Sequence, residues 1–115
     1  MQNFCRLIVL GICWQASSLC WAGERVDFER DIRRLPTPAL IVVGDEDERC
    51  IEPGLFLKDA IAASGLMVFP RTGHAVNLEE PDLFNQVVDD FISRVDGGSW
   101  LPRDPRTRPP RPPAA

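Results

Sequence analysis

At 115 residues the chain has room for one small domain at most. Its 44% hydrophobic and 26% charged residues suit a soluble globular protein. Arg103, Arg106, Arg108 and Arg111 against Asp104 give residues 102–115 a charge of +3, so the net −4 leaves −7 on residues 1–101. An acidic body argues against a nucleic-acid surface, and the short basic tail does not overturn that.

Residues 1–23, "MQNFCRLIVLGICWQASSLCWAG", form an apolar leader with three readings. As a signal peptide it offers Arg6, an apolar stretch over 7–14, and small residues Cys20 and Ala22 around a cut after Ala22. As a membrane span it is poor, because Gln15, Ser17 and Ser18 interrupt a short run. As a strand, "RLIVLGI" would be buried on both faces. "GICWQ" resembles a nucleophile elbow around Cys13; Gly11 fits that tight turn and Gln15 does not. The favoured reading is a signal-like or fortuitous leader. Cys5, Cys13 and Cys20 are eight and seven apart with no CxxC, so their spacing points to no metal.

Residues 24–98 alternate apolar runs with acidic loops. "VDFERDIRRL" (26–35) reads as a short helix or turn, stopped before Pro36 and Pro38. "ALIVV" (39–43) reads as a strand buried on both faces. "GDEDERCIEP" (44–53) reads as an acidic loop. "GLFLKDAIAAS" (54–64) reads as a helix with Leu57, Ala60, Ile61 and Ser64 on one face, ended by Gly65. "LMVF" (66–69) is a second buried strand, closed by Pro70. Pro81 starts the clearest helix, with Glu79, Glu80 and Asp82 suited to its positive end. Leu83, Phe84, Val87, Val88, Phe91, Ile92 and Val95 form one apolar face, and Gly97 and Gly98 stop it.

The expected class is α/β: a βαβα unit of a parallel sheet with a right-handed crossover. Functional loops gather at the carboxyl ends of such strands. Parallel direction puts the acidic loop after the first strand and the loop with His74, the chain's one histidine, on the same edge. Neighbouring strands lie about 5 Å apart, which allows Asp–His contact. Two or three strands this apolar want more cover than two helices supply, so the unit reads as a piece of a larger sheet.

"PTPALIVVGDEDERC" followed by "GHAVNLEEPDLFNQVVDDFI" resembles the C-terminal third of an α/β-hydrolase, over residues 35–106. The expected fold is therefore a partial α/β-hydrolase fold. The resemblance implies that Gly44-Asp45-Glu46-Asp47 is the G-x-x-D loop of the triad acid. It likewise implies that Gly73-His74 is the loop of the triad histidine. By that resemblance His74 is general base and then general acid, and Asp47 orients its ring; Asp45 is the other candidate acid. Against it stand the plain readings of a solvated acidic loop and a packed or surface histidine.

The family's nucleophile sits in G-x-S-x-G. None of Ser17, Ser18, Ser64, Ser93 and Ser99 has glycine two residues away on both sides, and the family's oxyanion-hole stretch is absent too. Asp47 follows Cys13 by 34 positions, too few for Cys13 to serve. The expectation is a hydrolase-family protein (ester, lactone, epoxide or C–C hydrolysis in the complete family) that is inactive alone. A small-molecule substrate is implied only for the complete protein, and no cofactor is called for. Location is cytoplasmic by resemblance, or exported if residues 1–22 act as a signal.

Residues 99–115 read as a disordered Pro/Arg-rich tail; Arg106-x-x-Pro109-x-x-Pro112 fits an SH3-ligand pattern that such tracts often meet by chance. Two other readings stand beside the first. One is a non-catalytic α/β module that self-associates or docks on a partner through its exposed sheet. The other is a cation or phosphoryl site on Asp45, Glu46 or Asp47, although "GDEDER" lacks the later oxygen ligands and turn glycine of a calcium loop.

Overall fold

The structure, a computed structural model, describes residues 8–9 and 27–107. In chain order it contains β1 (Ile8–Val9), α1 (Phe28–Arg33), β2 (Ala39–Gly44), α2 (Glu48–Ala60), β3 (Ser64–Phe69), α3 (Val76–Glu79), α4 (Pro81–Asp96) and a 3-10 turn (Pro105–Thr107). The strands form one parallel sheet in the order β1-β2-β3. The α/β unit anticipated from the alternation of apolar runs is present, with its strands parallel. Ile8 and Val9 pair with Ala39 and Leu40. The cleavage site after Ala22 and the elbow around Cys13 fall outside the described residues. Among the described residues no helix is long and apolar enough to cross a membrane.

β2 is the centre of the sheet, and its alternating side chains serve two faces. Ala39, Ile41 and Val43 pack with Ile32 of α1, with Leu57 and Ala60 of α2, and with Ile61. Burial of each large aliphatic side chain contributes about 1.5–3 kcal/mol. On the other face Leu40 borders α4 and Trp100. Phe91 is the one fully buried side chain of α4; the rest of its apolar face is half-buried. Between α4 and the sheet runs an open cavity of about 400 Å³, bordered by Leu66, Met67, Leu83 and Val87.

Three boundaries differ from the sequence reading. Residues 44–53 are only half loop, because α2 begins at Glu48 and runs through Pro53. Proline there forfeits one helix bond, to the Arg49 carbonyl, and packing of Leu57 and Ala60 on the sheet outweighs that loss. At the other end α2 stops at Ala60. Ser64 Oγ donates to the carbonyls of Ile61 (2.7 Å) and Lys58 (3.0 Å), so the freed serine residue opens β3 instead of extending the helix. Finally, Trp100 belongs to the folded unit and not to a tail. Its Nε1 donates to Ala63 O at 3.0 Å, and its ring meets Phe91 edge-on, with centroids 4.8 Å apart. Residues 108–115 lie outside the described region.

β2 and β3 pair in register from Ala39↔Ser64 to Gly44↔Phe69, so both end at one edge of the sheet. There Gly44 lies against the backbone of the loop that follows β3. A Cβ at this position would overlap the carbonyl oxygens of Thr72 and Gly73. Those are backbone atoms, so relief requires the whole loop to move. Gly44→Ala is therefore expected to cost about 1–3 kcal/mol, read as a lower urea midpoint, with the loss concentrated at this edge.

Candidate functional site

The loop after β2 turns tightly on its own backbone. Asp45 N–H donates to Phe69 O (2.9 Å), Glu46 N–H to Thr72 O (3.0 Å) and Asp47 N–H to Gly44 O (3.1 Å). The first of these bonds reaches the end of β3 and the second the segment that follows it, and that second bond ties the two loops together.

The loop after β3 is shaped by Pro70 and by Arg71, whose φ of 54° is left-handed. That turn costs a non-glycine residue about 1–2 kcal/mol. It aims the following N–H groups back across the edge, where Thr72 N–H donates to Asp45 Oδ1 at 3.1 Å. Thr72 itself is fully buried, its hydroxyl bonded to Pro70 O. Gly73 N–H is shared by both oxygens of Glu79, at 3.2 and 3.1 Å. His74 thus stands on a loop held at the two residues before it.

Asp47 is the residue before α2, yet its carboxylate makes no cap bond to the helix. Oδ2 instead meets His74 Nδ1 at 2.7 Å. The Asp47 side chain is 16% exposed and that of His74 61%. The hydrogen bond from His74, then that from the Cys50 thiol, holds the Asp47 carboxyl below its ordinary value. An ionised carboxylate only accepts, so Nδ1 carries the proton and the Nε2 lone pair of the neutral ring is free for chemistry. Burial and the Asp47 carboxylate push the Cys50 thiol up.

The geometry thus brings Asp47 and His74 together and gives Asp45 a different place. Asp45 reaches backbone, not the ring, and the N–H groups of Arg71 and Thr72 hold its carboxyl below its ordinary value. Glu79, which reads in sequence as a dipole partner of the last helix, closes α3 and reaches back to Gly73. That sequence reading gave no sign of the contact across the loop to Gly73. Cys50 had no sequence signal either, because its proximity to Asp47 depends on α2 starting early.

Asp45→Ala should release Thr72 N–H, seen as amide exchange faster by about tenfold or more, while Asp45→Asn keeps an acceptor and the protection. The sign with pH follows from the depressed folded value. The charged clamp is complete above the ordinary carboxylate value of 3.8 and is lost as pH falls through the lower value of folded Asp45.

No protein-family model matches the chain. It is similar to 2-hydroxymuconate semialdehyde hydrolase of a Pseudomonas species, 32% identical over 80 residues, 69% of this chain and 28% of that protein. It is also similar to 3-oxoadipate enol-lactonase 2 of Acinetobacter baylyi, 30% identical over 81 residues, 70% of this chain and 30% of that protein. Among solved structures, a meta-cleavage product hydrolase from Pseudomonas fluorescens matches with a TM-score of 0.56 and 35% identity, over 58% of this chain and 25% of that one. MenH from S. aureus shares the fold, with a TM-score of 0.56 at 22% identity. The chain spans less than a third of the length of the curated relatives it matches.

Proposed function

We propose, on the premise that this chain belongs to the α/β-hydrolase family as a C-terminal portion of its fold, that Asp47 and His74 are the acid and the base of a hydrolytic triad. The observation that carries this reading is the 2.7 Å contact between Asp47 Oδ2 and His74 Nδ1 at the carboxyl edge of the sheet. Nε2 takes the proton of a nucleophile and returns it to the leaving group. Asp47 fixes the tautomer and stabilises the imidazolium while the ring carries two protons. Asp45 and Glu79 are positioning residues that hold the histidine loop against the acid loop.

The nucleophile is the missing member. No serine of the sequence has the family's flanking glycines, and the oxyanion donors, worth about 2.7–4 kcal/mol each, lie on that missing part as well. The chain alone is thus half of a relay with nothing to activate. The bond it would help to cleave, in an ester, lactone, epoxide or carbon–carbon substrate, is set by residues of the other half.

A second reading is a non-catalytic module whose sheet is completed by a partner. The open cavity beside α4 and the 41% exposed Val68 on β3 favour it.

Supplying the other half separates the two readings. The chain alone should hydrolyse an activated ester no faster than its His74→Ala variant. Co-expressed with the serine-bearing N-terminal part of one of the similar hydrolases, it should gain turnover that His74→Ala lowers by about a thousandfold or more. Restored turnover that is equal in both would remove His74 from the mechanism. A stable complex without turnover would favour the module.

A further inference from the structure

We propose that Asp47, Cys50 and His74 form a binding site for one divalent cation of the zinc class, through a carboxylate oxygen, the Cys50 thiolate and an imidazole nitrogen. The three ligand atoms lie within 4.8 Å of one another. A tetrahedral ion with ligand bonds of about 2.0–2.3 Å needs its ligand atoms about 3.3–3.8 Å apart, so small side-chain rotations that open the 2.7 Å Asp47–His74 contact and draw in the wider-spaced atoms bring the set to that spacing.

The placement is built into the fold. Asp47 precedes α2 and Cys50 lies in its first turn, three residues on, where side chains share one face. Cys50 N–H donates to Asp47 O at 2.9 Å, so the helix start fixes these two relative to each other. The third ligand comes from the loop that Asp45 and Glu79 restrain. The exposed side of His74 leaves an entry path and a fourth position for water.

The donor set selects the class of ion. Thiolate and imidazole suit zinc and its neighbours, whereas calcium and magnesium want an all-oxygen shell. This site shares Asp47 with the acidic-loop cation site considered from sequence, but its other ligands are Cys50 and His74 rather than Asp45 and Glu46. It also departs from the sequence expectation of no metal, which looked for spacing among Cys5, Cys13 and Cys20 and not for a contact across two loops.

Protons balance simply. The Cys50 thiol gives its proton to solvent as the S–metal bond forms. The imidazole stays neutral; where Nδ1 is the ligand, its proton is carried on Nε2 instead. The carboxylate is already ionised. Either way the ion replaces the Asp47–His74 relay, so the occupied site and the acid–base pair exclude each other. Binding is read without turnover, so it stands or falls apart from the hydrolytic reading.

The test is titration of the full chain with Co²⁺, followed by displacement with Zn²⁺. One Co²⁺ per chain should give a thiolate-to-cobalt charge-transfer absorption and the intense visible bands of tetrahedral coordination, both bleached by Zn²⁺. Cys50→Ser should abolish the charge-transfer band, and His74→Ala should weaken binding by about tenfold or more. A variant with Cys5, Cys13 and Cys20 all replaced by serine should keep both features. In that triple-serine chain, which retains Cys50, Zn²⁺ should also protect the thiol from alkylation. This second readout does not depend on how the Cys50→Ser variant folds. A charge-transfer band that survives Cys50→Ser in a folded chain would overturn the proposal. So would equal alkylation of Cys50 with and without Zn²⁺.

Discussion

The contact between Gly44 and the backbone of Thr72 and Gly73 is the constraint on which the site depends. Two parallel strands deliver their loops to the same edge at about 5 Å spacing, but that alone leaves the loops free to diverge. The absent side chain lets them close onto each other. Hydrogen bonds then cross in both directions, Glu46 N–H to Thr72 O and Thr72 N–H to Asp45 Oδ1. Asp47 and His74 meet because the backbones beneath them are already joined.

This explains a division of labour among neighbouring acidic residues. Asp45 is spent on backbone, and Asp47, two positions on, is free to turn toward the ring. Glu79 does for Gly73 what Asp45 does for Thr72. The histidine loop is thereby restrained from both sides while His74 itself stays open to solvent. That combination suits a base that must reach a partner group outside these elements. It also leaves a thiol, Cys50, beside the same carboxylate, so the proposed acid–base chemistry and the proposed metal ligation would draw on the same atoms.

Much of the arrangement was legible in the sequence because it follows from direction and period. The apolar run at 39–43, with β-branched Ile41, Val42 and Val43, and the order of elements dictated a parallel pair, and the parallel pair dictated a shared edge for Asp47 and His74. What stayed hidden depends on distances between residues far apart in the chain. Asp45 and Asp47 look alike in "GDED" until the turn aims one at backbone. Pro53 masked the true start of α2, and with it the placement of Cys50. Trp100 sits among glycines and prolines that read as tail, yet Ala63 O and Phe91 give it a place. The incomplete cover of the sheet, inferred from too few helices, has its counterpart in the half-buried face of α4 and the open cavity beside it.

The central claim is that the two loops hold the imidazole of His74 in one tautomer against Asp47. The chain has a single histidine, so long-range ¹H–¹⁵N correlation of the imidazole reads this without ambiguity. The account predicts a protonated Nδ1 and a bare Nε2 in the neutral ring, with the preference lost in Asp47→Ala. A ring that carries its proton on Nε2 in the unaltered chain, or a tautomer indifferent to Asp47, would contradict it.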